Sequence, residues 1–76
     1  MSRVFTDPDL LTWEAYASAG AFGLPEQPKI VFHCISDPHR PARFVTHDGD
    51  NATAEQEVHS AQEDRLREML AASAEL

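Results

Sequence analysis

The chain has 76 residues, a net charge of −7 and a single cysteine, Cys34. That length corresponds to one domain with a small core, which a metal or a partner commonly stabilises, and one cysteine excludes an internal disulfide. Residues 47–76 hold two Lys/Arg against eight Asp/Glu, and this negative charge disfavours binding to nucleic acid or unassisted docking to an anionic bilayer.

The N-terminal residues predict a β-hairpin. Residues 3–6 are typical of a short strand. Residues 7–9 (Asp-Pro-Asp) are typical of a turn, because proline fixes φ and aspartate side chains accept hydrogen bonds from backbone amides. Residues 12–18 then alternate with a period of two, which places Trp13 and Ala15 on the same face of a half-buried strand.

The middle of the chain predicts two further strands. Residues 20–28 contain two glycines and two prolines, which favour an irregular connection. Residues 29–36 are apolar at nearly every position, so we expect this strand to be central in a sheet. A turn over residues 37–41 and a last strand over residues 42–46 follow.

The last third of the chain predicts one amphipathic helix near residues 54–74. Thr53 and Gln56 have the spacing of a capping box, and apolar residues recur on one side at about 100° per residue. Asp50 or Asn51 is expected to support the turn before the helix. The fold class is therefore α+β: a small antiparallel β-meander of three or four strands with one C-terminal helix across one face.

Four motifs stand in a familiar order along the chain: Arg3-Val4-Phe5-Thr6-Asp7, Trp13-Glu14, Ile30-Val31-Phe32, and Arg43 ahead of the helix. In this arrangement the chain resembles a family of short bacterial proteins of unknown function, whose first hairpin is closed by Asp-x-x-Gly before Trp-Glu. Leu10 stands where that family has its turn glycine, and the Pro-x-x-Trp before the family's helix is missing. The resemblance implies a fold and no established activity.

Histidines and the cysteine are the main candidates for site chemistry. A metal site would draw on His33, Cys34, His39 and His47, because imidazole and thiolate are good zinc ligands. However, adjacent His33 and Cys34 would point to opposite faces of a strand, and no C-x₂-C or H-x₃-H pair exists. We therefore expect no cofactor and no enzymatic activity, with a metal-binding or redox-responsive protein as the alternative.

A partner is expected instead, because a single helix leaves one face of the sheet without a cover. Tyr16, Phe22 and Leu24 are the candidate partner-binding residues, since aromatic side chains are enriched at interface hot spots. The expected function is a non-catalytic accessory or assembly subunit that docks onto a larger protein assembly, through a basic or apolar surface of that assembly. Self-association remains open, because an uncovered strand edge also pairs with its own copy.

The expected location is the cytoplasm. The first residues contain no apolar signal segment, and the least polar run, residues 15–24, is too short to span a bilayer. One unpaired cysteine suits a reducing compartment. The cytoplasmic face of a membrane complex, respiratory or photosynthetic, is one setting for such a subunit.

Overall fold

A computed structural model describes residues 2–18 and 27–76, which form an antiparallel sheet of five strands and two helices. The spatial order of the strands is β1-β2-β3-β4-β5, so the chain is a meander. The α+β class is confirmed, and β3 is the central strand, in agreement with its apolar sequence. The elements are β1 Ser2–Thr6, β2 Thr12–Ser18, β3 Lys29–Cys34, β4 Arg43–Thr46, α1 Asn51–Ser60, α2 Glu63–Ala72 and β5 Ala74–Glu75.

A fifth strand is the feature of the sheet that the sequence did not predict. The two residues of β5 pair with Arg43 and Phe44 of β4, in antiparallel register. The residues concerned, Ala74 and Glu75, were expected at or just after the end of a helix. A two-residue strand has too few positions to show a period, so its sequence carries no strand signal.

The single helix predicted over residues 54–74 is two helices, α1 and α2. The chain is extended at Ala61 and Gln62, which end the first helix and begin the second. A straight helix over the predicted range would be about 31 Å long, whereas the seven residues of β2, the longest strand described, span about 23 Å. The break keeps both apolar stripes on the sheet.

The first helix begins three residues earlier than predicted, and Asp50 is its N-cap. The Asp50 carboxylate accepts a hydrogen bond of 2.8 Å from the Thr53 amide. That backbone bond is the main cause that lowers the pKa of Asp50. Thr53 lies inside the first turn and donates its hydroxyl to the Asp50 carbonyl. The capping box at Thr53 and Gln56 was therefore wrong, while the role expected of Asp50 is confirmed.

The core lies between the helices and one face of the sheet, which we call the inner face. Phe5 and Phe32 meet edge to face, with ring centroids 6.1 Å apart. Of the described residues buried in this core, six come from strands and four from helices, so each layer buries its apolar side chains against the other. The buried residues of the cluster are Phe5, Trp13, Ala15, Ile30, Phe32, Cys34, Val58, Leu66, Met69 and Leu70.

Two arginines of the inner face bind the C-terminal ends of the helices. Arg3 of β1 donates to the carbonyls at the end of α1, including His59 at 2.8 Å and Ala61 at 2.9 Å. Arg43 of β4 donates to the hydroxyl and the carbonyl of Ser73, the residue that ends α2. The last carbonyls of a helix have no partner within the helix and carry partial negative charge, so a guanidinium there is favourable.

We expect Arg3→Met to lower the free energy of unfolding by about 2 kcal/mol, the usual range for hydrogen bonds from a charged group. Methionine keeps an apolar stem against the core and removes the donors to the carbonyls of α1. Urea denaturation measures the change. Arg40→Met is the control, because it removes an exposed ion pair with Asp37 and the smallest of the contributions that lower the pKa of Asp7, and a loss of similar size in both variants would contradict the assignment.

Candidate interaction surface

The sheet has a second face, opposite the helices, which we call the open face. Side chains alternate between the faces of a strand, so the neighbours of Trp13 and Phe32 in sequence point away from the core. Neither described helix contributes to the residues on this face, since the helical members of the core all pack on the inner face. Among the described residues, this face of the sheet therefore has no helix packed on it.

An apolar row crosses the open face. Tyr16 of β2 lies opposite Val31 of β3, and Val31 lies opposite Phe44 of β4. Val31 is only 4% exposed, and the larger side chains of Tyr16 and Phe44 flank it on the neighbouring strands. Tyr16 is 37% exposed. The row thus has a packed centre and an accessible aromatic ring beside it.

The charges on the open face nearly cancel. Within the described strands it carries one carboxylate, Glu14, and one ammonium, Lys29. Glu14 accepts a hydrogen bond of 2.9 Å from the Ser2 hydroxyl, and the Lys29 ammonium lies 5.6 Å from the centroid of the Phe44 ring. The described strands thus give this face a net charge near zero, although the chain as a whole has a net charge of −7.

The structure describes one of the three predicted partner-binding residues. Tyr16 lies on the open face, at one end of the apolar row. Phe22 and Leu24 lie outside the described residues. Val4 of β1 is exposed on the same face and was not among the candidates. Val4 directly precedes the buried Phe5. Because side chains alternate along a strand, this position in the sequence could have predicted that Val4 lies on the open face.

The structure does not bring together the four residues that were predicted as alternative metal ligands. The His33 side chain is exposed on the open face, whereas Cys34 is buried in the core on the inner face. His39 lies in the turn before β4 and His47 directly follows β4, so the strand separates them. Among residues 2–18 and 27–76 no group of three or more His, Cys, Asp or Glu side chains could hold a metal ion.

A cleft of about 390 Å³ lies between the edge of the sheet and the helices. Its floor is apolar and its rim carries Arg65, which lies 3.6 Å from Glu57 of α1 and 3.4 Å from Glu68 of α2. The guanidinium charge is thus matched within the chain, and the two ion pairs tie α2 to α1. The lining residues are Ile30, Val45, Thr46, His47, Asp48, Glu57, Arg65, Glu68, Met69 and Ala72.

The turn between β1 and β2 is organised by one carboxylate. Asp7 accepts hydrogen bonds from the amides of Asp9 and Leu11, both at 2.9 Å, and from the indole nitrogen of Trp13 at 2.8 Å. Burial alone raises the pKa of Asp7. The hydrogen bonds from Trp13, Leu11 and Asp9 together outweigh burial and hold the pKa below its ordinary value, with a further contribution from Arg40.

Leu10 occupies the left-handed conformation in the same turn, with φ of 67°. The Leu10 amide donates to the Asp7 carbonyl at 3.0 Å and the Asp7 amide to the Leu11 carbonyl at 2.9 Å. This is a three-residue hairpin loop, in which the left-handed position ordinarily takes glycine. The leucine side chain is 82% exposed. The sequence indicated the left-handed conformation at position 10, because Leu10 stands where an Asp-x-x-Gly pattern has its glycine.

No family model, curated protein or solved structure matches the chain. The resemblance to the family of short bacterial proteins therefore stays a prediction. Neither described helix, at ten residues each, has the length and apolar character needed to cross a membrane. The described residues form a small α+β protein in which both helices pack on one face of the sheet.

We expect Asp7→Asn to destabilise the fold at neutral pH, with a penalty that shrinks as the pH falls. An amide has one acceptor oxygen and cannot serve both the backbone amides and the Trp13 indole. Because the folded pKa of Asp7 is lowered, its contribution is present above the unfolded pKa and is lost as the pH falls below about 4. Urea midpoints at a series of pH values measure the difference.

Asp9→Asn is the control for this experiment, because it neutralises an exposed carboxylate of the same turn. A difference between wild type and Asp7→Asn that stays constant from pH 7 to pH 2 would show that the Asp7 charge makes no contribution.

Proposed function

We propose that the protein is a non-catalytic accessory or assembly subunit that docks onto a larger protein complex through the open face of its sheet. The observation that carries this proposal is the apolar row of Tyr16, Val31 and Phe44 on a face that neither described helix covers. A half-apolar sheet face exposed to water is unfavourable, and association with another protein surface removes it from water.

The distribution of charge supports a protein partner. The open face is close to neutral within the described strands, and most of the acidic residues lie on the helices, which pack on the inner face, and on the loop before them. A partner surface that is apolar at its centre fits the open face, and basic groups elsewhere on the partner would be attracted by the net charge of −7, since complementary potentials increase association rates. The same acidic field opposes contact with nucleic acid or an anionic bilayer.

One setting for such a subunit is the periphery of a membrane complex. The proposal concerns the docking surface and does not depend on that setting.

A metal-binding or redox-responsive protein was the alternative function predicted from the sequence. No observation among the described residues favours it, because Cys34 is buried among apolar side chains and its neighbour His33 lies on the other side of the sheet.

Native mass spectrometry of the untagged protein, isolated under mild conditions from the cells that produce it, tests the proposal. We expect a defined mass above that of the free chain of 8.5 kDa, with a second protein in fixed stoichiometry. A free chain, with or without a bound zinc ion, would overturn the proposal, and zinc in that species would favour the alternative.

We expect Tyr16→Ala to weaken the complex about tenfold and leave the fold intact, because Tyr16 is a partly exposed ring whose loss removes contact area from the interface. Titration of the complex measures the affinity and circular dichroism the fold. Gln56→Ala, an exposed site on α1, is the matched control and is expected to bind like wild type. Equal affinity of both variants would remove the open face from the interface.

A further inference from the structure

Leu10 has the most unusual combination of properties in the described part of the chain. It is the non-glycine residue at positive φ there, and its side chain is 82% exposed. A non-glycine residue in the left-handed region is strained by contact between its Cβ and the backbone. Because the Leu10 side chain is exposed to water, packing contacts do not offset the strain. Within the folded chain, leucine at this position is therefore purely unfavourable.

The strain is held in place by a rigid turn. Asp7 fixes the loop through its carboxylate, which is bonded to two amides of the turn and to the Trp13 indole. Trp13 is 3% exposed and belongs to the core. Leu10 is thus presented to solvent from a turn that is anchored to the core, which lowers the entropy that a partner would have to remove on binding.

Other exposed apolar residues share this end of the sheet. We call residues 7–11 and 35–41 the loop end. The two loops are neighbours, because the amides of Ile35 and Ser36 donate to the Thr12 carbonyl and the Thr12 amide donates to the Ser36 hydroxyl. Ile35 is 50% exposed. Leu76, which is 69% exposed, lies near the same end, since its amide donates to the Ala42 carbonyl.

The charge of the loop end is negative. It contains Asp7, Asp9 and Asp37 against a single cation, Arg40, which lies 3.3 Å from Asp37. An apolar side chain surrounded by carboxylates fits an apolar pocket with lysines or arginines at its rim. The same carboxylates disfavour insertion of Leu10 into an anionic membrane.

We propose that Leu10 is an anchor residue that inserts into an apolar pocket with a basic rim on the protein partner. This inference rests on the proposed function and specifies the partner's chemistry at one end of the interface. Ile35 joins the loop end to the open face, since it follows β3 directly and is placed on that face by the alternation of side chains. The loop end therefore lies at one end of the open face, beyond Glu14 and His33.

The test uses Leu10→Gly, which should move stability and binding in opposite directions. Glycine adopts positive φ without strain, so we expect the melting temperature of the isolated chain to rise by about 5 °C. We expect the affinity for the partner found by native mass spectrometry to fall at least tenfold. A structural role for Leu10 would lower the melting temperature, and unchanged affinity would remove the anchor.

A photo-reactive leucine analogue with a diazirine, placed at position 10, identifies the contact directly. After irradiation in an extract of the producing cells, tandem mass spectrometry maps both ends of the cross-link. We expect one partner residue in an apolar pocket with Lys or Arg at its rim. Cross-links to a second copy of the chain, to lipid, or to many unrelated proteins would overturn the inference.

Tyr16→Ala distinguishes this inference from the proposed function. If Tyr16→Ala weakens the complex and Leu10→Gly does not, the open face docks without an anchor at the loop end, and the further inference fails alone. If the protein is isolated only as a free chain, both fail. Leu10→Met, which keeps an apolar side chain of similar size with no branch at Cβ, is the control and should retain most of the affinity.

Discussion

The guanidinium groups of Arg3 and Arg43 connect the two layers of this protein. Each begins on the inner face of the sheet and ends on the carbonyls that close a helix. Helices of ten residues are marginal by themselves, so their orientation depends on what holds their ends. The two arginines therefore help to hold α1 and α2 on the face of the sheet where the apolar core lies.

Both described helices pack on one face of the sheet, and this explains why apolar residues are exposed on so small a chain. Ion pairs from Arg65 to Glu57 and Glu68 hold the helices to each other and match the guanidinium charge at the rim of the cleft beside the core. Among the described residues, exposed apolar side chains lie on the open face, at Val4 and Tyr16, and at the loop end.

Much of the fold could be predicted from the sequence, and the failures have physical causes. Alternation identified the strand with Trp13 and Ala15, and unbroken apolarity identified the central strand. The break between α1 and α2 was missed because the apolar period continues across it, and only the length of the sheet forbids one straight helix. The arginine contacts were missed because Arg3 lies 55 residues or more from the carbonyls it binds, and no local pattern reports such a pairing. On the candidate surface, Tyr16 could be predicted from alternation, whereas the exposure of Leu10 depends on a turn geometry that the leucine itself disfavours.

Leu10 separates stability from function in this chain more clearly than any other described residue. A core residue cannot serve for that purpose, because its substitution changes folding and binding together. Substitution of an exposed residue in a relaxed backbone conformation leaves stability nearly unchanged whatever the role of the residue, so the stability measurement gives no second readout. At Leu10 the backbone favours glycine and the side chain packs on nothing that would oppose the change. An increase in stability combined with a loss of binding therefore has one physical explanation: the leucine serves a contact outside the chain, and the fold tolerates the strain that this contact requires.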